Sequence, residues 1–336
     1  MNILSVESSC DETAVAIVRD GRETLTDCIA SQVEIHKLYG GVVPEIASRK
    51  HIEAIYALAD QALETAKLTR EDIDAVAVTY APGLIGAVLV GVNFAKAAAL
   101  ALDVPLVPVH HIRGHIAANY LAYPELEPPF VCLVVSGGHS LIVDVQLYTE
   151  MRILGTTRDD AAGECFDKVA RVLGMPYPGG AALDKMAQSG DDLKYPMPHS
   201  HVAGSELDMS FSGLKTAALN LIHNAGQKGE PLDIPSLCAS FSKAVSDTLV
   251  PRTMQALRQT GYRKLAIAGG VAANSRIRGE FTRECEKLGI RLCMPPLSLC
   301  GDNGAMIGAQ GYYEYLSGKR AGQDLNAYAT MSLENG

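Results

Sequence analysis

The sequence predicts an α/β protein of two lobes, and three observations carry that reading. Short apolar, β-branched runs alternate with helical patterns along almost the whole chain, as they do where strands and helices pack in layers. Two segments, Ile3–Val18 (ILSVESSCDETAVAIV) and Val131–Val145 (VCLVVSGGHSLIVDV), repeat one design: an apolar strand, a small polar turn and a second apolar strand. A chain of 336 residues with 48% apolar content suffices for two domains with cores of their own. The expected division is residues 1–128, residues 129–304, and residues 305–336, whose helix returns to pack on the first lobe. Ligand is expected in a cleft between the lobes, with the two hairpins facing each other across it.

The elements follow in order. After the first hairpin come an amphipathic helical pattern over His51–Lys67, a strand over Ile73–Tyr80 and the turn Ala81-Pro82-Gly83. Leu84–Leu102 is the longest apolar run, but Asn93 and Lys96 near its middle favour a buried core helix over a membrane span. A strand over Leu106–Val109 leads into His110–His115. Beyond the second hairpin, Glu164–Leu173 reads as a helix ended by Gly174, and Ser236–Thr260 as a long helix ended by Gly261. Lys264–Ala268 is a strand entering Gly269-Gly270, Ser275–Leu288 a helix, Arg291–Met294 a strand before Pro295-Pro296, and Gly304–Ser317 the last helix.

Bulk properties exclude some functions. Lys and Arg total 29 against 38 Asp and Glu, a net charge of -9, so the chain alone is a poor binder of polyanions. A nucleic-acid substrate would need a partner protein or a local patch. Arg49-Lys50-His51 and Arg252, Arg258, Arg263 and Lys264 are candidates for such a patch, and each also reads as a solvated face. With no Trp and 6% aromatic residues, little is available for stacking bases. Eight cysteines without a CxxC pair, and an N-terminus that enters a strand at once, argue against secretion and a disulfide framework. A reduced, cytoplasmic protein is expected.

The chemistry concentrates in a few stretches. In HHIRGH, His111 and His115 stand four apart and could share one helical face, and neutral imidazoles suit zinc or iron. The spacing is that of H-E-x-x-H, but Ile112 occupies the place of the glutamate general base. Asp302, within Cys300-Gly301-Asp302-Asn303-Gly304, is a candidate third ligand. A pair of satisfied core histidines is the plainer alternative, and His110 and His139 are weaker candidates with hydrogen bonding as theirs. Ser136-Gly137-Gly138-His139 follows a strand and could cradle a phosphate, or simply turn a hairpin. Gly269-Gly270 precedes Asn274, which could cap the next helix. No Walker loop or dinucleotide fingerprint is present. Asp159, Asp160, Glu164, Asp167 and Asp184 lie among small residues, where a carboxylate can hold a ribose or cap a helix. At the first hairpin, Glu7, Asp11 and Glu12 crowd one turn, and Glu7 lies within the strand, where a solvent-exposed tip does not explain it.

ESSCDET, GGVVPEIASRKH, YAPGLIGAVLVG, VPVHHIRGH, LVVSGGHS, DDAAGECFDKVARVLG, YPGG, FSGLKT, AGGVAANS and CGDNGAMIG occur in that order from residue 3 to about residue 310. Together they resemble the TsaD family, the transferase subunit of the machinery that makes threonylcarbamoyladenosine in tRNA. The resemblance implies two actin-like lobes (the ASKHA, ribonuclease H-like architecture), a superfamily in which duplicated lobes each open on a hairpin. It implies an acyltransferase that moves the threonylcarbamoyl group of threonylcarbamoyl-AMP to N6 of adenosine 37 in tRNAs reading codons that begin with A. The reaction is metal-assisted and releases AMP. One divalent ion, Fe2+ or Zn2+, would be held by His111, His115 and Asp302. The adenylate site maps onto Val134, Val135, Ser136, Gly137, Gly138, Asp167, Gly180, Asp184 and Asn274, a site open also to ATP, ADP or AMP. Asp11 is the candidate for orienting or deprotonating the acceptor amine, with Glu12 second. Partners implied are tRNA, a paralogue that dimerises with this chain (TsaB) and a small ATPase (TsaE), with a homodimer when alone and no membrane. Rival readings are a metallopeptidase built on HHIRGH, a small-molecule kinase of the actin-like superfamily, and a nucleotide-dependent scaffold.

Overall fold

The computed structural model describes residues 1–336. The chain forms two compact units, one of Met1–Pro128, Gln146–Arg152 and Pro295–Gly336, the other of Pro129–Val145 and Ile153–Met294. The chain returns to the first unit at Pro295, not after residue 304, so Asp302 belongs to the first unit together with His111 and His115. The reason is local. The Gly304 N–H donates to the Asp27 carboxylate at 3.1 Å, and the Gly304 carbonyl accepts the Ser5 hydroxyl at 2.7 Å.

The first unit is built on β1 (Asn2–Glu7), β2 (Glu12–Arg19), β3 (Glu23–Ser31), β4 (Ala75–Ala81) and β5 (Leu106–His110), in the order β3-β2-β1-β4-β5. The first three strands form an antiparallel meander, and β4 and β5 run parallel to β1. Strand β4 reads AVAVTYA and is buried throughout, as a strand covered on both faces must be. Its helices are α1 (Val33–His36), α2 (Pro44–Ala66), α3 (Ile85–Leu102) and α4 (His111–Ala122). Helix α2 starts at Pro44, ahead of the apolar periodicity that begins near His51. Proline at the first turn gives up an N–H that has no helical partner there anyway. By length and composition α3 could cross a bilayer. It packs on β4 and α2 through Ala87, Val88, Gly91, Val92, Ala95 and Ala99, while Ile85, Leu89 and Leu100 are exposed, so it is a core helix along one face only.

The second unit repeats the plan with β6 (Phe130–Val135), β7 (Ser140–Val145), β8 (Met151–Thr156), β9 (Lys264–Ala268) and β10 (Arg291–Cys293). The order is β8-β7-β6-β9-β10, with β6 and β7 antiparallel and β9 and β10 parallel to β6. Hairpin and parallel strands thus occupy the same places as in the first sheet. Around it lie α5 (Ala162–Val172), α6 (Gly179–Ala187), α7 (Ser212–Lys228), α8 (Ile234–Thr260) and α9 (Ser275–Leu288).

The last helix, α10 (Gly304–Leu316), lies in the first unit on β1, β2 and β5 and beside α4. Glycine permits that approach. A Cβ on Gly308 would fall 2.6 Å from the Val18 side chain and 2.8 Å from the Ser5 hydroxyl. Met306 and Ile307 join Ile3, Ala75, Ala77, Val107 and Val109 in one core cluster beneath it.

Candidate active site

Helix α4 starts where β5 ends, and this places the three histidines of HHIRGH in different roles. His110 is the cap: its Nδ1 accepts the Ile112 N–H at 3.2 Å, and its Nε2 lies 3.3 Å from the Met331 carbonyl. His111 and His115 follow on one helical face, with ring centres 4.6 Å apart. Asp302 Oδ1 lies 3.6 Å from His111 Nε2 and 3.2 Å from His115 Nε2. One ligand atom from each of the three lies within 4.8 Å of the others. His115 is 1% exposed, and neither of its ring nitrogens makes a hydrogen bond. Burying an imidazole that way costs about 1–3 kcal/mol unless a ligand satisfies it. Two imidazoles and a carboxylate fit a divalent transition metal.

Behind His111 stands Glu7, fully buried at the end of β1. Glu7 Oε2 is 3.0 Å from His111 Nδ1 and accepts the Thr79 hydroxyl at 2.6 Å, while Oε1 accepts the Ser9 N–H at 2.5 Å. Ser9 Oγ is also 3.1 Å from that Nδ1. Burial pushes the Glu7 carboxyl up, but the His111 imidazole outweighs it and holds the carboxyl below its usual range. Burial likewise lowers His111, and Glu7 with Asp302 reverses this and raises it to about 9. A carboxylate on Nδ1 fixes the ring so that Nε2 points to Asp302, as outer carboxylates do for metal-binding histidines. Glu7 was visible in the sequence as a carboxylate inside an apolar strand, but nothing there named its partner.

Asp11 is 6% exposed in the turn between β1 and β2, and Glu12 opens β2. The two side chains share a hydrogen bond, and Glu12 also accepts the Ser31 hydroxyl at 2.9 Å. Burial first, then the charges of Asp11 and Asp302, push Glu12 up to about 9, so it holds its proton at neutral pH.

The residues expected to bind adenylate all lie in the second unit. Val134 and Val135 end β6, buried and paired with Leu141 and Ser140. The turn is closed by the Ser136 N–H on the His139 carbonyl at 2.8 Å and the His139 N–H on Ser136 Oγ at 3.2 Å. Gly137 and Gly138 are exposed, and a Cβ on either would meet nothing within 4 Å. Neither has a left-handed φ, so the fold itself does not demand glycine there. Two other glycines bring neighbours onto this turn. A Cβ on Gly163, in the first turn of α5, would fall 2.4 Å from the Ser136 carbonyl. One on Gly269, at φ +89° after β9, would fall 2.5 Å from the Val135 carbonyl. The start of α5 and the end of β9 therefore converge on an open glycine turn, an arrangement that can bind an anion.

Asp167, Asp184 and Asn274 do structural work at that convergence. Asp167 Oδ1 accepts the N–H groups of Gly179 and Gly180 at 2.8 and 3.2 Å, capping α6. Asp184, on α6, accepts the Ser275 N–H at 3.1 Å and its hydroxyl at 2.9 Å. Asn274 caps α9 through the Ile277 N–H at 3.1 Å. Asp159 also caps, but the helix is α7 and not the adjacent α5: it accepts the Phe211 and Ser212 N–H groups at 2.7 and 3.2 Å, and Asp160 pairs with Lys215. Of the suggested basic residues, Arg258 and Arg263 are exposed and several others are engaged within the chain. His51 is fully buried, Arg49 and Lys50 pair with Glu45 and Glu53, and the Arg252 guanidinium donates to the carbonyls of Asp208, Thr248 and Ser200.

Comparison with known proteins adds identity to this geometry. The family model described as TsaD, tRNA N6-adenosine threonylcarbamoyltransferase, matches residues 23–309. A tRNA N6-adenosine threonylcarbamoyltransferase of Clostridium botulinum (strain 657 / Type Ba4) is 51% identical over 333 residues, covering 99% of this chain and 98% of that protein. Its namesake from Clostridium perfringens (strain SM101 / Type A) is 52% identical over 333 residues, covering 98% of each. Among solved structures, T. kodakarensis HypF superposes with a TM-score of 0.63 at 16% identity, over 96% of this chain and 49% of that one. Component A of the Acidaminococcus fermentans (R)-2-hydroxyglutaryl-CoA dehydratase superposes with a TM-score of 0.53 at 16% identity, over 94% and 97%. At such identities the two structures speak to fold alone, and the fold is the actin-like α/β architecture of two lobes. The chain belongs to the TsaD family of tRNA N6-adenosine threonylcarbamoyltransferases and is an acyltransferase that modifies tRNA.

Proposed function

We propose that the chain transfers the threonylcarbamoyl group of threonylcarbamoyl-AMP to N6 of adenosine 37 in tRNAs that read codons beginning with A, releasing AMP. The observation that carries this reading, in a member of this family, is the His111–His115–Asp302 cluster with the Glu7 carboxylate fixing His111 from behind. One divalent ion, Fe2+ or Zn2+, suits these donors and would supply Lewis acidity to the carbonyl of the acyl group. In the second unit, the Ser136–Gly138 turn, through the backbone N–H groups of Gly137 and Gly138, and the start of α5 are assigned to the phosphate. The ridge of Asp167, Gly180 and Asp184 is assigned to the ribose, and Val134, Val135 and Asn274 hold that frame.

In the transfer, N6 forms a C–N bond to the carbamoyl carbon, and the bond from that carbon to the phosphate oxygen breaks with its electron pair leaving on AMP. The proton lost from N6 passes to Asp11. Glu12 keeps its own proton near neutral pH and serves Asp11 as a hydrogen-bond donor, which favours Asp11 over Glu12 as acceptor. The amine is weakly basic, so placement contributes more than proton removal. A peptidase at the same trio would need a general base beside His111, and position 112 is a buried isoleucine.

The net charge of -9 is consistent with tRNA binding shared across a complex with a paralogous subunit (TsaB) and a small ATPase (TsaE). Ile52 and Tyr56 on α2, and Ile85 and Leu89 on the α3 packed beside it, are exposed and offer an apolar face for the paralogue, or for a second copy when the chain is alone. Eight cysteines, all free thiols, accord with a cytoplasmic location. The test is reconstitution of the metal-loaded chain with threonylcarbamoyl-AMP, a tRNA transcript carrying adenosine 37, and the two partners. Mass analysis of nucleosides should show the modified adenosine with AMP in equal amount. Acceptor-dependent ADP release from ATP without tRNA would replace this reading with the kinase one.

A further inference from the structure

The motifs GGVVPEIASRKH and YAPGLIGAVLVG supply none of the ligands above, yet both close on the turn that carries Asp11. Three successive carbonyls of that turn are gripped from three different places. The Ser9 carbonyl accepts the Leu84 N–H at 2.8 Å, and the Asp11 carbonyl accepts the Gln32 N–H at 2.9 Å. Between them, the Cys10 carbonyl is 3.0 Å from His51 Nε2, the one side chain among the three. The other ring nitrogen of His51, Nδ1, is 2.7 Å from Thr13 Oγ1.

The chemistry of the partners fixes the proton. A carbonyl can only accept, so Nε2 carries the hydrogen, and Nδ1 is then the acceptor for the Thr13 hydroxyl. His51 is fully buried on α2. Burial pushes its pKa below the usual value, which keeps the ring neutral. One imidazole thus spans Cys10 to Thr13, with Asp11 and Glu12 between its two contacts.

We propose that His51 is a positioning residue for the transfer: as the Nε2–H tautomer it clamps both ends of Cys10–Thr13 and so fixes the direction of the Asp11 carboxylate. The inference rests on the reading of Asp11 as the group that meets the acceptor amine. It also accounts for the histidine that follows exposed Arg49 and half-buried Lys50: this residue of the apparent basic triplet faces inward.

The test uses the full metal-loaded chain with its partners, threonylcarbamoyl-AMP and tRNA. His51→Ala should lower kcat by about 100-fold, the scale of a misplaced catalytic group, with metal content and the KM for threonylcarbamoyl-AMP unchanged. His51→Gln, whose amide can still donate to the Cys10 carbonyl, should recover about tenfold of that loss. In an Asp11→Asn background, His51→Ala should add nothing, because it acts through Asp11. Full transfer by Asp11→Asn would overturn the Asp11 reading. Impaired Asp11→Asn with full transfer by His51→Ala, or equal losses that multiply in the double variant, would overturn the His51 inference alone. If His51→Ala does not fold, two measurements decide. Thr13→Val should slow transfer without loss of metal, and nitrogen NMR of labelled histidine should find His51 as Nε2–H. An Nδ1–H or doubly protonated ring would overturn the inference.

Discussion

The two hairpins occupy the same place in two sheets of the same strand order, and they are built for opposite purposes. The last residue of β1 is Glu7 and the last of β6 is Val135, both buried at equivalent positions. After Glu7 the chain turns inward through Ser8, Ser9 and Asp11, each nearly inaccessible. After Val135 it turns through Gly137 and Gly138, both exposed and without packed neighbours where a Cβ would stand. One hairpin presents side-chain charge held rigidly by burial. The other presents bare backbone amides that a large ligand can approach. A duplicated architecture thus divides its labour at one turn, by exchanging carboxylates for glycines.

The sharpest way to break that division is at the His111–His115–Asp302 cluster. His115→Ala should empty it and lower transfer by about 1,000-fold, the scale of losing several kcal/mol of Lewis-acid stabilisation. AMP binding to the second unit, followed by calorimetry, should be unchanged. Glu7→Gln leaves all three ligands in place but weakens the hydrogen bond on His111, so metal affinity should fall about 10- to 100-fold by competition with a chelator. On the other hairpin, Gly138→Val should reduce AMP affinity by about tenfold while metal content and melting temperature hold, because the added side chain meets only open space in the protein.

The smallest effect concerns Asp27, which joins β3 to the start of α10. Burial raises its carboxyl to about 6 although the Gly304 and Ala305 N–H groups oppose this. A raised folded-state value means that its stabilising contribution is complete below pH about 4 and is lost as pH rises through about 6. Unfolding titrations should show stability declining over that window by about 1–2 kcal/mol more in the parent than in Asp27→Asn, after discounting for partial exposure.

Much of this was legible in the residues. His111, His115 and Asp302 could be grouped because a four-residue spacing on a helix and an aspartate before Asn303-Gly304 each have few meanings. His110 was already the weaker candidate, with a hydrogen-bonding role as its alternative, and the helix start at His111 shows that role to be the cap. Asp167, Asp184 and Asn274 could be read as ligands or caps, since both roles need an oxygen beside a glycine turn; the ligand reading was preferred for Asp167, and the structure gives each an internal hydrogen bond. Strands β3 and β8 and helices α6 and α7 left little trace. Edge strand β3 is largely exposed, and α7 buries only Leu214 and Ala218, so neither carries a strong apolar period. His51 was hidden for the opposite reason: its charged neighbours Arg49 and Lys50 made it look like surface.

The first unit is assembled from three separated stretches of chain, the last of them Pro295–Gly336. During synthesis His111 and His115 emerge long before Asp302, and the sheet face bearing Ile3, Val107 and Val109 must wait for Met306 and Ile307 to cover it. The second unit, encoded in between, is complete while the first still lacks its roof. Any metal bound by the trio would therefore be captured late, and a nascent chain stalled before residue 295 would present two imidazoles with no carboxylate to close the set.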